Sequence, residues 1–446
     1  MRSESPDQNQ SIIFNDLKDL LDPKDALYRL AAQVPWAEID AHFAPFYSDK
    51  GRPAKPARLM VALVMLKHMF NLSDEQVVDR WRQNPYYQYF SGMRQFQWGL
   101  PCDPTDLIYF RKRIGPSGAE DILKWTVQMS GTDAEPSVVV VDTTVQAKHV
   151  TYPRDRKLYR RVAERVLALA ESEQIRLTRT YRRAIRRLAR LMITGNFPRG
   201  IKRARRAERR MRTIAGRLLR DLKRKLSPER HFEHLETFSL WEHALRFRAT
   251  GESKVYSLHE PQIYAIKRGK DTCEWEFGTK VSLAVNPHTG VIVGALNIAK
   301  DRGDLATIPE VLEQVQRLTG SSPAVVIGDK GYRGRRLDEG TLIYTPADLS
   351  QHTMPQPMRE RLIARFKRRA SIEPIIGHLK TDHRLCRNYL KGWLGDEMNV
   401  ILAAAGWNLR RLLRRLSALL WMWALAITGE KARTRFVYPV ALGFTR

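Results

Sequence analysis

The sequence predicts an α/β fold fronted by a helical N-terminal domain and interrupted by a basic helical hairpin. Three observations carry that reading. The runs Ser137–Asp142 (SVVVVD) and Pro323–Asp329 (PAVVIGD) are short, apolar and β-branched, the pattern of strands buried on both faces. Helical periods fill much of the chain before residue 130 and return from about Met358. Between the first strand and the next, residues 151–230 hold 27 Lys and Arg against 7 Asp and Glu, a surplus of 20 in a chain of net charge +28.

The elements follow in order. A short helix is expected near Asp25–Val34 and a longer one over Pro56–Phe70 (ARLMVALVMLKHMF). Ser73 and Gln76 have capping-box spacing, which starts a helix that Asn84-Pro85 stops near Gln83. This helix pair reads equally as a helix-turn-helix reading DNA or as a plain αα-hairpin. The cluster Tyr86, Tyr87, Tyr89 and Phe90 reads as core, and a third helix covers about Thr105–Ile114.

In the basic segment, Tyr181, Ile185, Leu188 and Met192, then Ile201, Ala204, Ala207, Met211, Ile214, Leu218 and Leu222, recur at steps of three and four. The loop Thr194–Gly200 separates them, so an antiparallel hairpin with an arginine-rich exterior is expected. One-sided charge of this kind calls for a polyanion, and Arg182, Arg183, Arg186, Arg205 and Arg209 are its candidate DNA contacts. Beyond residue 255, strands Gly278–Val285 and Val291–Ala299 flank the turn Asn286–Gly290, followed by a helix over Asp304–Leu318 and a strand at Leu342–Thr345.

Composition narrows the function classes. The apolar fraction of 43% suits a chain with real cores, and a pI near 10.2 favours nucleic acid as partner. The charge-free run Leu416–Ile427 is too short to span a bilayer, which takes about 20 residues. The N-terminus is polar, so a cytoplasmic, nucleoid-associated protein without membrane contact is expected. Cys102, Cys273 and Cys386 are far apart and support neither a disulfide framework nor a zinc site. His231 and His234 have ligand-like spacing but lack companions.

Chemistry is expected where carboxylates meet. Asp142 and Asp329 each end a predicted strand, where α/β sheets gather ligands. Glu373 stands in RRASIEPIIGHLK (Arg368–Lys380), four residues after Arg369 and seven before Lys380, steps that return to one helix face. Taken alone, Arg369 and Glu373 read as a surface pair worth about 0.2–0.5 kcal/mol. Pro374 leaves two arrangements: a helix starting at Ser371 with Arg369 just outside, or an earlier start with a kink. Three converging carboxylates in a cationic chain repel one another unless a hard cation, Mg²⁺ or Mn²⁺, lies between them. Two such ions about 4 Å apart serve phosphodiester displacement.

The blocks VDTTVQ (141–146), GDKGYRG (328–334) and IEPIIGHLKTDHRL (372–385) resemble the signatures of bacterial insertion-sequence DDE transposases, of the IS-five type. The resemblance implies a ribonuclease-H-like (retroviral-integrase-like) catalytic domain. It also implies Asp142, Asp329 and Glu373 as the catalytic, metal-binding triad, holding two Mg²⁺ (or Mn²⁺) ions. The family's Tyr-x2-Arg-x3-Glu-x6-Lys pattern reads here with Phe366, Arg369, Glu373 and Lys380, so the tyrosine hydroxyl is missing. Arg369 and Lys380 would hold phosphates, unless Lys380 snorkels to solvent; Lys330 would face DNA, Tyr332 and Arg333 would face DNA or simply pack, and Gly331 would permit a tight turn. The expected partners are double-stranded DNA, both element ends and target, and a second copy of the chain. The expected activity is hydrolysis at the element ends and transfer of the 3′-OH ends to target DNA, with no covalent protein–DNA intermediate. A nuclease without strand transfer and a non-catalytic DNA-binding remnant are the alternatives. The expected division is a helical DNA-binding domain (1–130), a catalytic domain (137–150 with 251–415), the inserted hairpin (151–250) and a tail (416–446).

Overall fold

The computed structural model describes residues 16–47, 54–135, 137–193, 200–246, 254–270, 273–299, 302–332, 340–350 and 355–428. Most of the loop expected at 194–200, Arg333 and the end of the chain from residue 429 fall outside these ranges.

Seven helices open the described chain: α1 (Leu17–Leu20), α2 (Ala26–Gln33), α3 (Trp36–Phe43), α4 (Ala57–Met69), α5 (Asp74–Gln83), α6 (Pro85–Phe90) and α7 (Pro104–Met129). Side-chain caps set several of their starts. Asp25 accepts from the N–H groups of Leu27 and Tyr28, Ser73 and Gln76 close the expected capping box, and Asp103 and Asp106 form another. The helical stretch expected to end at Ile114 does end there, and α7 resumes beyond a kink and runs to Met129. Gly115, at φ 62°, turns the chain ahead of Pro116, and the apolar positions Ala119, Ile122 and Leu123 then resume.

The pair α4–α5 forms where expected. Every residue of α4 from Leu59 to Met69 is buried. The first-turn carboxylate of α5, Asp74, is drawn inward by Lys67 at 2.7 Å and by both guanidinium nitrogens of Arg111 at 2.8 and 2.7 Å.

A six-stranded mixed sheet follows: β1 (Val138–Ala147), β2 (Tyr264–Lys270), β3 (Cys273–Val285), β4 (Ile292–Ile298), β5 (Val325–Ile327) and β6 (Leu342–Tyr344). β4, β3 and β1 pair antiparallel, and β1, β5 and β6 pair parallel. β2 pairs with the first half of β3, up to Gly278. Helix α13 (Ile308–Thr319) crosses over β4 between the two halves of the sheet. Asp142 does not end its strand, as expected from sequence. β1 runs on to Ala147 because the long β3 supplies partners through Ala147↔Gly278.

The insertion between β1 and β2 is larger than a hairpin. It contains α8 (Asp155–Ser172), α9 (Arg182–Ile193), α10 (Ile201–Lys225), α11 (Pro228–Glu233) and α12 (Leu235–Leu245). The α9–α10 seam is as expected. It packs with an apolar stripe of α8 (Leu158, Val162, Val166) and with Phe238 and Trp241 of α12 into a core of its own. His234 bonds Glu173 at 3.1 Å and packs on Phe238, so this histidine is a structural partner.

The chain ends in α14 (Gln356–Arg369), α15 (Ile372–Asp382) and α16 (Gly392–Thr428). α16 runs through residue 416, so a tail boundary there falls inside a helix. Its residues Val400–Ala405 pack with α4, α7 and β4 into one continuous core with the N-terminal helices and the sheet. Among the described residues no helix is long and apolar enough to cross a membrane.

Candidate active site

The parallel register of β1 and β5 brings two carboxylates level. Val140 is the partner of Ile327. Asp142 and Asp329 each lie two residues further on, at the carboxyl end of the same ladder. Beyond β5 the chain enters a tight turn (Lys330–Tyr332), with Asp329 Oδ1 accepting the Gly331 N–H at 2.7 Å.

The third carboxylate arrives on α15. Ser371 precedes the first helical residue, Ile372, and Pro374 sits in the first turn, where a missing N–H costs nothing. Arg369 is therefore the last residue of α14, and the expected single stripe of Arg369, Glu373 and Lys380 is divided between two helices. Glu373 and Lys380 share α15, while the bend at Ala370–Ser371 returns Arg369 toward the sheet. Its Nη2 comes to 3.8 Å from Asp142 Oδ2.

Burial pushes the Asp142 carboxyl up from its ordinary range, and the negative charges of Asp329 and Glu373 add to this. The Thr143 N–H, bonded to Asp142 Oδ1 at 2.8 Å, and the Arg369 guanidinium oppose it. The three acidic residues picked out from sequence thus share one electrostatic site. Among the described residues, no three His, Cys, Asp or Glu side chains are drawn together closely enough to hold a metal ion alone.

Two residues at the site escape or mislead a reading of the sequence. Asp304, expected only to start a helix, accepts from Thr143 Oγ1 at 3.3 Å and pairs with Lys280 Nζ at 3.0 Å. It lies across Gly331 from Asp329: a Cβ on Gly331 would come within 3.0 Å of Asp329 Oδ1 and 3.1 Å of Asp304 Oδ2. Gly331 therefore serves close approach, and its φ is not left-handed. The only sequence signal for Asp304 is a polar run before a helix, identical to that of an ordinary cap.

Tyr332, expected to face DNA or to pack, is 1% exposed and packs. Burial, then the charges of Asp304, Asp142 and Asp329, push its phenol well up, against a smaller opposing effect of the Ser282 hydroxyl. It is a packing residue beneath the carboxylates, with its ring against Gly328.

Other expected DNA contacts fall on two surfaces. Lys380 is half-buried on α15, 3.9 Å from Glu276. Lys330 lies in the turn after Asp329. Arg182, Arg183, Arg186, Arg205 and Arg209 are all exposed on α9 and α10, with Arg182 paired to Glu171. Phe366 packs half-buried against the main core.

Two family models match the chain: Transposase domain (DUF772) over residues 15–113, and Transposase DDE domain over residues 247–409. The second spans Asp329 and Glu373 and begins just after α12, the last helix of the insertion. The chain belongs to the insertion-sequence DDE transposases. A protein of Rhizobium meliloti, "Uncharacterized protein ORF8 in nfe locus", is 42% identical over 195 residues, which cover 42% of this transposase and 94% of that protein. No solved structure matches it. The residues between the two family matches, 114–246, include β1 with Asp142 and nearly all of the transposase's insertion.

Proposed function

We propose that this transposase, of the IS-five type, cleaves DNA at the ends of its element and joins the freed 3′-OH ends to target DNA, with Asp142, Asp329 and Glu373 as its catalytic carboxylates. The level register of Asp142 and Asp329 carries this reading. The strand order β4-β3-β1-β5-β6, antiparallel then parallel, supports a ribonuclease-H-like catalytic domain.

The donor set fits Mg²⁺ or Mn²⁺ by chemistry. All the donors are carboxylate oxygens, and their mutual repulsion is relieved by a cation. Mg²⁺ usually takes only one or two carboxylates and completes its shell with water and substrate phosphates. A site that the side chains do not close by themselves is what such an ion uses. Asp142 and Asp329 would hold one ion, and Glu373 would complete the pair with a second. When bound, such ions polarise the phosphodiester and stabilise both attacking and leaving oxygens.

The chain's own groups orient the strand. Arg369 Nε is buried without a hydrogen-bond partner, and its Nη2 is too far from Asp142 for a hydrogen bond. The guanidinium's exposed part would meet a phosphate oxygen there. Lys380, on the same helix as Glu373, would hold a further phosphate. The exposed arginines of α9 and α10 supply longer-range attraction for duplex DNA. Two ends must be cut together, which favours a homodimer on DNA, held at the bacterial nucleoid.

The test is strand cleavage and joining, in Mg²⁺, on a fragment carrying the gene's own flanks. Glu373→Gln keeps the shape and removes the charge. The expected result is unchanged DNA affinity and at least about a hundredfold loss of cleavage. Release of 3′-OH ends without joining by the wild type would identify a nuclease, and a covalent protein–DNA adduct would overturn the mechanism.

A further inference from the structure

The root of the insertion forms a second site, remote from the carboxylates. The chain leaves the sheet after β1, and the segment His149–Arg154 faces Tyr256–His259 and the loop after α15 across a cleft of about 420 Å³. Tyr389 and Lys391 line both this cleft and a neighbouring cavity of about 1000 Å³, so Tyr389 stands on the ridge between them.

Tyr389 is stacked on the ring of His149 at 4.4 Å and 26°, yet it remains 56% exposed. Tyr152, on the opposite wall, is 58% exposed and packs edge-on against Phe277. Two half-exposed aromatic rings thus line one cleft. Exposed cations surround the rings: Arg154, Lys157 and Lys391. The Arg384 guanidinium lies 5.9 Å from the Tyr389 ring centroid.

The platform is held rigidly. Arg384 and Arg387 take left-handed φ of 66° and 57° without being glycine, a conformation that persists only where surroundings enforce it. Here the surroundings are visible. The Asn388 N–H bonds Ala147 O at 2.7 Å, and the His149 N–H bonds Asn388 O at 2.9 Å. Buried Lys148 pairs with Asp396 at 2.7 Å and with Glu260 at 3.1 Å, and Asn388 also donates to Asp396 at 2.6 Å. These bonds fix the two strands of the insertion's root against α16, with the Tyr389 and His149 rings projecting from the clamp.

We propose that this cleft binds unpaired nucleotides of single-stranded DNA, with Tyr389 as the stacking platform and Arg154, Lys157 and Lys391 meeting the phosphates. Every base offers a π-face to an aromatic ring, but a paired base inside a duplex has both faces taken. A half-exposed ring among cations therefore selects unpaired over paired DNA. The inference rests on the DNA reading above.

The experiment uses the full chain and two probes: a short single-stranded oligothymidylate carrying one 2-aminopurine, and a blunt duplex. In the wild type and in Tyr389→Phe, binding of the single strand should quench the 2-aminopurine. Tyr389→Ala should weaken single-strand binding about tenfold and remove the quenching, while duplex affinity stays unchanged. Equal quenching and affinity in Tyr389→Ala would overturn the proposal, as would equal losses on both probes. Failure of the wild type to bind either probe would overturn the DNA reading along with it.

Discussion

The frame and the insertion use charge in opposite ways. In the frame, made of the N-terminal helices, the sheet and α16, ions are taken inside and matched. Lys67 and Arg111 hold Asp74, Lys148 holds Asp396 and Glu260, and Arg369 leans on Asp142. Buried charges of this kind demand partners, because an unpaired one costs several kcal/mol, on the order of 3–5. In the insertion the core is almost wholly apolar, and the arginines of α9 and α10 point outward. A few are paired, as Arg182 is with Glu171, and the repulsion among the rest is relieved by counterions or by a polyanion. The frame's charges thus fix geometry, whereas the insertion's charges set what the molecule attracts.

Four measurements put that contrast at risk. The largest effect should come from core truncation. Leu218→Ala, in the insertion core, and Leu63→Ala, in the frame core, should each cost about 2–5 kcal/mol. Hydrogen exchange should show α10 amides loosened by the first while β1 stays protected, and the reverse for the second. Simultaneous loosening of both by either variant would mean that the two cores fold as one.

The next largest should be the response to acid. His383, buried beside Trp407 with Nδ1 donating to His68 O at 2.9 Å, has its imidazole pushed down to about 4 by burial. His68 is displaced in the same direction for the same reason. The unfolded chain takes up these protons near the ordinary value of 6.5, and the folded frame resists them. Stability is therefore present above pH 6.5 and is lost as pH falls toward 4, by up to about 3 kcal/mol for His383. In the insertion, burial of Asp221 is outweighed by bonds from Thr178, Arg224 and Lys225, which bring its carboxyl down to about 2. Its contribution is complete above 3.8 and is lost only as pH falls toward 2. Melting at pH 5 should accordingly weaken the frame ahead of the insertion, and His383→Gln should flatten the frame's slope.

A smaller effect is expected at the edge of the carboxylate site. Asp304→Asn keeps the bond from Thr143 but weakens the hold on Lys280. Cleavage should fall about tenfold, less than for Glu373→Gln, with DNA affinity unchanged. A loss as large as that of Glu373→Gln would promote Asp304 to the catalytic set.

The smallest effect per residue belongs to the insertion's surface. Replacing Arg183, Arg186, Arg205 or Arg209 singly by Gln should lower the slope of log affinity against log salt by about one for each phosphate no longer neutralised. Fold and thermal stability should not move. An unchanged slope in the combined variant would separate this surface from DNA.

Much of this protein is legible in its sequence because the signals are short-range. Capping residues announce helix starts within three positions, so Asp25, Ser73 and the turn at Asn286 are found where they act. Runs such as VVVV read as buried strands, and the three acidic blocks stand out against a cationic background. The apolar stripe of α8 is present in the sequence but masked by its many charges, so the insertion reads as two helices where the fold has five.

Sequence thus specifies the kind of residue and the local element at each place: a mixed α/β chain, a basic insertion and three carboxylates in strand–strand–helix order. The alignment of those pieces is a property of the folded chain alone. The register Val140↔Ile327 levels Asp142 with Asp329, the bend at Ala370–Ser371 swings Arg369 onto Asp142, and the long β3 carries β1 past Asp142. Asp304 joins the site, and Tyr332 sinks beneath it, for the same reason. Strand register and helix crossing depend on partners more than a hundred residues away, and no local period records who those partners are.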